Sequence, residues 1–539
     1  MTMSKNEPAG GRLRLPPKID RSSGILMHIT SLPSRFGIGS LGPEAHEFSQ
    51  FLSSAGQTWW QVLPLGPVSP TFGFSPYSSL SAFAGNDMLI SLDTLVRDGW
   101  LAQNDLPEHP ANGAEDFIDL NRVWTLRRPL LERAAENFYR RTDPEIKKEF
   151  DRFCRENRFW LDDYTLYMAL GEAFQTFHWP AWDQEAARRT PLALSALSRK
   201  LKSKVDLFRF LQFMFFRQWR ELKGLCHRLG IRLIGDIPFY VNFDSADAWA
   251  NRDIFQLNPD TGEPLAVAGV PPDYFSKTGQ RWGNPVYRWN DRDGKLSART
   301  CDWWISRLRH MTRQADWVRI DHFRGFESYW AIPAEAKTAV DGKWLKGPGY
   351  RFFRTVQQQL GHPPLIAEDL GIITPEVEAL RDRLNLPGMK IMQFAFDRNP
   401  DNPYLPHNFR NPNCIVYTGT HDNNTSNGWF YGTETDEPTK QYILDYLGIT
   451  ERDEFHWHFI RLAMGSTAEL SIFPMQDILG YGSEFRLNTP GNALGNWGWK
   501  LQRGKLNPEI AGRLRHLTTL YERLPQKNNP REIADSDER

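Results

Sequence analysis

Four short apolar runs in this 539-residue chain each lead directly into a carboxylate. The runs end on Asp236, Asp321, Glu368 and Asp422. β-Branched and aliphatic stretches of this length, bounded by glycine and polar residues, are typical of strands buried on both faces, as in a parallel sheet covered by helices. The carboxyl ends of such strands meet at one edge of a parallel barrel, where active sites are assembled. The pattern therefore predicts acids that converge at a barrel edge, an arrangement that suits carbohydrate chemistry.

Strand and helix signals alternate along most of the chain. This alternation predicts an α/β fold of the (β/α)8 TIM barrel type, with right-handed crossover connections. The eight strand candidates are residues 24–29, 58–65, 231–236, 317–321, 365–368, 389–394, 414–420 and 469–473.

A single catalytic domain is expected over residues 23–525, with two inserted subdomains. Residues 87–229 have a largely helical pattern, and residues 244–300, rich in proline, glycine and aromatics, are expected to form substrate loops and a lid. Residues 1–22 predict a flexible N-terminal tail. Residues 526–539 predict a charged C-terminal tail that is too short for a C-terminal β-sandwich.

The composition favours an uncharged, polyhydroxylated substrate. Lys plus Arg and Asp plus Glu are equal at 65 each, so no net field would draw the protein to nucleic acid or to an anionic membrane. Aromatic residues reach 13%, with 20 tryptophans. Core packing accounts for many of them, but indole and phenol rings also suit the C–H faces of sugar rings.

The four cysteines are widely separated and form no C-x-x-C pair, which argues against a disulfide framework or a thiolate zinc site. The first 20 residues lack the apolar run of a secretory signal, and no later stretch is long enough to span a membrane. These features indicate a cytoplasmic enzyme, with the plastid stroma as the alternative compartment.

Two further motifs are weak indicators of function. Residues 37–42 match the G-x-G-x-x-G pattern of dinucleotide loops, but Pro33 precedes them and the next strand candidate ends without an acid for a ribose. A tight surface loop at the barrel mouth is the better interpretation. His456 and His458 lie two residues apart in a predicted helix, so they point to different faces and make a poor metal pair.

Each acid alone could be an ordinary helix cap or loop residue, but four acids at the same predicted edge argue against coincidence. Arg319 lies two residues before Asp321, on the same side of the strand, and could keep that carboxylate ionised as a nucleophile requires. His322 and Arg324 supply further donors.

Three motifs that carry these acids resemble those of glycoside hydrolase family 77, the 4-α-glucanotransferases or amylomaltases of the α-amylase clan. The motifs are residues 319–325, 367–371 and 420–423, and further matching stretches are residues 74–77, 81–86, 269–275 and 280–285. The resemblance covers nearly all of residues 23–523 and is specific in number, order and spacing.

This resemblance implies a retaining, two-step transfer of α-1,4-glucan segments. Asp321 would form the covalent glycosyl intermediate, Glu368 would act as acid and then as base, and Asp422 would stabilise the transition state. The family uses no organic cofactor and needs no metal for its chemistry. By the same resemblance, the substrate contacts are Ser75, Tyr77, Asp236, Trp282, Asn284, Arg319, His322, Asp397 and His421.

The expected partners are α-1,4-glucans and maltooligosaccharides, with glucose as an acceptor, and neither nucleic acid nor a membrane. The residue pattern leaves the oligomeric state open. An α-amylase-like hydrolase remains the alternative activity, because transfer and hydrolysis share the first step and differ only in the second nucleophile. Pro271, Pro272, Tyr274, Phe275 and Trp282 could form the lid that excludes water. A catalytically silent glucan-binding protein is disfavoured because all three acids are present.

Overall fold

The computed structural model describes residues 17–107, 116–272, 276–492 and 494–524. The strands in these residues are β1 (Ser22–Leu26), β2 (Trp59–Gln61), β3 (Arg232–Ile237), β4 (Ala266–Val270), β5 (Gln280–Pro285), β6 (Trp317–Ile320), β7 (Ser328–Pro333), β8 (Lys343–Lys346), β9 (Leu365–Ala367), β10 (Gly388–Ile391), β11 (Cys414–Tyr417) and β12 (Leu470–Pro474). The helices are α1 (Pro43–Ser54), α2 (Leu92–Arg97), α3 (Leu120–Arg141), α4 (Pro144–Glu156), α5 (Arg158–Phe174), α6 (Gln184–Arg188), α7 (Pro191–Lys200), α8 (Lys202–Arg228), α9 (Ala246–Ala250), α10 (Ala298–Gln314), α11 (Gly349–Leu360), α12 (Pro375–Arg383), α13 (Ser426–Tyr431), α14 (Glu437–Leu447), α15 (Phe455–Gly465), α16 (Met475–Ile478) and α17 (Pro508–Leu520).

Eight strands form one parallel sheet in the order β10-β11-β12-β1-β2-β3-β6-β9. The sheet curls into a nearly closed barrel, in which the N–H of Ala367 in β9 donates to the carbonyl of Pro387, just before β10, at 2.9 Å. All eight predicted strands are confirmed, and the (β/α)8 prediction with them. The strands are buried because helices cover them outside and side chains fill the interior.

Close packing between β1 and β2 depends on a glycine. A Cβ atom on Gly24 would lie 2.4 Å from the carbonyl oxygen of Trp59, so only glycine lets the strands approach this closely. The indole N–H of Trp60 donates to the carbonyl of Met27 at 2.7 Å. This bond satisfies the indole donor of a fully buried ring in the barrel wall.

The G-x-G-x-x-G segment at residues 37–42 is buried, not at the surface as the sequence analysis expected. A Cβ on Gly39 would lie 1.9 Å from the carbonyl oxygen of Ile29, and one on Gly42 would lie 2.2 Å from Oγ of Ser91. These glycines therefore allow close packing of one loop against its neighbours.

Helices α2 to α8 lie between β2 and β3 in the chain. The 27-residue α8 packs against α3, α4 and α5 and also against β3, so it joins this helical layer to the barrel. No helix in the described ranges is long and apolar enough to cross a membrane.

A second sheet, which the sequence analysis did not predict, has the antiparallel order β5-β4-β7-β8. Strands β4 and β5 come from the segment between β3 and β6, and β7 and β8 follow β6. This sheet carries Trp282 and Asn284 on β5. Part of the predicted lid, Tyr274 and Phe275, lies outside the described residues.

Candidate active site

The barrel brings the four acids identified from the sequence to its carboxyl-terminal edge. Asp236 lies in β3 and pairs in register with Arg319 of the neighbouring β6. Asp321 and Glu368 immediately follow β6 and β9, which are also neighbours. Asp422 lies in the loop after β11. The acids therefore meet because parallel strands end together.

Arg319 is the centre of a network of charged hydrogen bonds. Its Nη1 donates to both carboxylate oxygens of Asp236, at 2.8 and 2.7 Å, and its Nη2 donates to Oδ1 of Asp321 at 2.9 Å. The Arg319 and Asp236 side chains are 4% and 0% exposed, whereas that of Asp321 is 30% exposed. One guanidinium thus serves two carboxylates, and the exposed one faces the site.

Glu368 is held by the main chain instead of by a side chain. The N–H of His322 donates to Oε2 at 2.6 Å, and the N–H of Leu370 donates to Oε1 at 2.8 Å. His322 has the left-handed backbone conformation, with φ of 52°, that a non-glycine residue seldom adopts. Because His322 directly follows Asp321, its N–H fixes the Glu368 carboxyl beside the proposed nucleophile.

Burial raises the pKa of Asp321 and of Glu368 above their ordinary values, and the Arg319 charge lowers both. The two main-chain N–H groups also lower the pKa of Glu368, and the charge of Asp236 further raises that of Asp321. Arg319 favours the ionised form of Asp321, but burial opposes that form more strongly, and Asp236 shares the same cation. The cluster is suited to retaining a proton near neutral pH.

Asp422 is held by residues that the sequence analysis missed. The amide of Asn488 donates to Oδ1 at 2.6 Å, and Nη2 of Arg486 donates to the main-chain carbonyl at 2.7 Å. Nε2 of His421 lies 3.3 Å from Oδ2. Asn488 and Arg486 lie in the polar stretch after β12. The sequence indicated only that both residues follow the last predicted barrel strand.

An aromatic surface forms the floor of the site. The Tyr77 ring stacks on His421 with a centroid distance of 5.0 Å and an angle of 12°. Its hydroxyl donates to Oδ2 of Asp236 at 2.8 Å, which fixes the ring relative to the acids. Trp497, also absent from the predicted set, lies 6.0 Å from both rings.

Trp282 and His322 form a second aromatic wall. Their rings meet edge to face with centroids 5.0 Å apart, and Trp282 is 39% exposed. Burial lowers the pKa of His322 to about 3, so the imidazole is neutral at ordinary pH. Its Nε2 is buried and has no hydrogen-bond partner among the described residues, which leaves it available to a sugar hydroxyl.

The remaining predicted contacts, Ser75, Asn284 and Asp397, form hydrogen bonds with main-chain groups. Oγ of Ser75 accepts from the N–H of Tyr77 at 3.3 Å, and the Asn284 amide donates to the carbonyl of Val241 at 2.8 Å. Asp397 is exposed in the loop after β10 and accepts from the N–H of Asn399 at 2.9 Å. Within the described ranges, no group of three or more His, Cys, Asp and Glu side chains is placed to hold a metal ion.

Comparisons with known proteins agree with this geometry. The profile of glycoside hydrolase family 77, described as 4-alpha-glucanotransferase, matches residues 27–506. The 4-alpha-glucanotransferase of Synechocystis is 49% identical over 93% of this chain and 98% of its own length. That of Thermus thermophilus is 46% identical over 94% and 100%.

Among solved structures, the amylomaltase from Streptococcus agalactiae, in complex with acarbose, superposes with a TM-score of 0.89 at 38% identity. The match covers 94% of this chain and 100% of that one. These matches span nearly the whole of each protein. This chain therefore belongs to glycoside hydrolase family 77, the 4-alpha-glucanotransferase family.

Proposed function

We propose that this protein is a retaining 4-α-glucanotransferase, which moves α-1,4-glucan segments between maltooligosaccharides or onto glucose. The observation that carries the proposal is the joint fixation of three carboxyls. Arg319 binds Asp236 and Asp321, and the main chain after Asp321 binds Glu368. A nucleophile beside a second carboxyl is the arrangement that a double displacement requires.

In the first step, a carboxylate oxygen of Asp321 bonds to the anomeric carbon as the glycosidic bond breaks. The proton of Glu368 passes to the departing 4-oxygen. In the second step, Glu368 takes the proton of an acceptor 4-hydroxyl, whose oxygen bonds to the anomeric carbon and releases Asp321. Two inversions at the same carbon retain the α configuration.

The two main-chain hydrogen bonds on Glu368 bear on the first step. Both carboxyl oxygens accept N–H bonds, an arrangement that favours the carboxylate form. To act as an acid, Glu368 must carry a proton on one oxygen and direct it at the glycosidic oxygen. We infer that substrate binding enables Glu368 to hold this proton. The substrate displaces one of the two hydrogen bonds and further buries a carboxyl whose pKa is already raised.

Asp422 and the aromatic floor would act on the sugar ring at the cleavage point. The Tyr77 ring offers a face to the pyranose, and the Asp422 side chain is 44% exposed and so is accessible to hydroxyls. Hydrogen bonds to ring hydroxyls that strengthen as the ring flattens would stabilise the oxocarbenium-like transition state.

We propose that the aromatic wall formed by Trp282 and His322 favours a sugar over water as the second nucleophile. A sugar stacked on an exposed indole places its hydroxyl near the intermediate and occupies the space that water would use. Incubation with maltotriose tests the activity. Release of glucose and longer maltodextrins at constant total reducing ends supports transfer, whereas a steady rise in reducing ends would establish hydrolysis instead.

The acceptor and the compartment are finer proposals. Labelled glucose supplied with maltodextrin should enter the reducing ends of new oligosaccharides, and absence of label would exclude glucose as an acceptor.

All four cysteines are free thiols, and burial raises the pKa of Cys226 to about 11. Free thiols suit a reducing compartment such as the cytoplasm, and cell fractionation would test this assignment.

We also propose that residues 23–525 form one catalytic unit. The last helix, α17, packs on the first, α1, so the early and late parts of the chain are in contact. Limited proteolysis should leave one large fragment, and stable separate fragments would contradict a single unit.

A further inference from the structure

A second cleft lies between the helical layer and the barrel. It is lined by residues from α5, α9 and α10 and from the loop after β2, and none of the acids or aromatic residues described at the active site lines it. Its volume is about 390 Å³, which is the size of a site for a small ligand or for part of a longer one.

Aromatic side chains form the floor of this cleft, and the outermost ring is exposed to solvent. Phe159 is 55% exposed, and its ring meets Phe83 edge to face with centroids 5.4 Å apart. Phe83 in turn stacks on Trp160 and meets Trp303 edge to face. The three rings beneath are buried, so Phe159 is supported from below while it remains accessible from the cleft. An exposed phenyl ring fixed in this way suits the C–H face of a sugar.

Polar groups with defined hydrogen bonds line the same cleft. Nη2 of Arg189 donates to Oδ1 of Asp163 at 2.5 Å, whereas its Nη1 is buried without a hydrogen-bond partner among the described residues. Nη2 of Arg299 donates to Oδ1 of Asn251 at 2.8 Å. The exposed carboxylate of Asp302 completes the lining. Planar donors and acceptors of this kind bind vicinal hydroxyls.

The charges in the cleft argue against an anionic ligand. Two cations, Arg189 and Arg299, face three carboxyls, of which Asp163 is already paired with Arg189. The third carboxyl is Asp247, whose pKa is raised by burial. No excess of positive charge remains to attract a phosphate or a nucleic acid. A neutral polyhydroxylated ligand fits the lining.

We propose that this cleft is an auxiliary binding site for α-1,4-glucan chains, in which one glucose ring stacks on Phe159 and its hydroxyls bond to Arg189 and Asp302. The site would tether long donors and raise their local concentration at the barrel. The ligand class rests on the proposed function, whereas the cleft itself does not.

The test compares Phe159→Ala with Leu192→Ala, a control at an exposed apolar residue that does not line the cleft. Phe159→Ala should raise the KM for amylose about fivefold. It should weaken retardation in amylose-containing native gels by a similar factor in apparent affinity. It should leave kcat/KM for maltotriose within about twofold of the wild-type value, because a short donor does not need tethering. Phe159→Trp should restore both amylose readouts.

Unchanged amylose KM and gel retardation in Phe159→Ala would overturn the proposal. Equal losses on amylose and maltotriose would also overturn it, because they would show that Phe159 acts through the fold. Gel retardation does not require turnover. A wild-type protein that is retarded by amylose but does not disproportionate maltotriose would refute the proposed function alone.

Discussion

Replacing Arg319 with methionine would remove a positive charge that two carboxylates of the active site share. Methionine keeps much of the side-chain volume but can donate to neither Asp236 nor Asp321. In the proposed mechanism, activity on the acidic side is lost as Asp321 becomes protonated, since only the carboxylate attacks. Without Arg319 the pKa of Asp321 must rise further, so the acidic limb of the kcat/KM profile should move to higher pH.

The contacts of Arg319 set the size of the pH shift and of the loss of stability. One charge-assisted hydrogen bond reaches Asp321, and a bond of this type contributes about 1.5–3 kcal/mol, which corresponds to a shift of roughly 1–2 pH units. Asp236 has no exposed side-chain surface and would lose the cation that binds both of its oxygens. Loss of the partner of a buried ion pair costs about 3–5 kcal/mol of unfolding free energy.

The assays are a pH profile of maltotriose disproportionation and urea unfolding at neutral pH. Asp236→Asn is the matched variant of opposite sign, because it gives the whole guanidinium charge to Asp321 and should move the acidic limb to lower pH. An unmoved limb in Arg319→Met, or an upward shift in Asp236→Asn, would refute the assignment of the shared cation. A stability loss below about 1 kcal/mol would refute the estimate for the unpaired Asp236.

Other substitutions test the remaining parts of the site. Asp321→Asn should abolish transfer yet raise the free energy of unfolding by about 1 kcal/mol near neutral pH, because the native site raises the pKa of that carboxyl and ionising it costs stability as pH rises; equal stability in urea melts would contradict this. Glu368→Gln should lose maltotriose transfer but retain glycosylation by α-glucosyl fluoride, whose leaving group needs no acid, and loss of both rates would argue against the acid role. Asn488→Ala should lower kcat about 10- to 100-fold with a smaller change in KM, because Asp422 loses its donor; a change confined to KM would count against a transition-state role. Trp282→Ala should raise the ratio of hydrolysis to transfer, measured as reducing ends against glucose released from maltotriose, and an unchanged ratio would remove Trp282 from acceptor selection.

The barrel could be predicted because its strands are buried on both faces and so contain continuous apolar runs. Their ends could not be placed as well. The run predicted over 58–65 is a strand only at Trp59–Gln61, and Pro64 in the remainder has no N–H for the ladder. The run at 389–394 becomes a 3-10 turn from Met392, where the chain leaves the sheet.

The antiparallel sheet was missed for a related reason. Strand β8 is mostly exposed and begins and ends with lysine, and β5 contains glycine, asparagine and proline, so neither has a continuous apolar run or a clear alternation. Asn488 and Trp497 were missed because loop residues after the last strand carry no periodic signal. Their proximity to Asp422 and Tyr77 arises only when the barrel closes.

The shared guanidinium of Arg319 has a consequence for the evolution of this enzyme. Asp236 and Arg319 lie on neighbouring strands, and loss of the Arg319 charge alone leaves the buried Asp236 carboxylate uncompensated. Single-site saturation libraries should therefore record position 319 as intolerant, although replacement of both residues by neutral ones should recover much of the fold. The effects of substitutions at the two positions are therefore strongly non-additive, and a search for altered specificity should mutate both positions together.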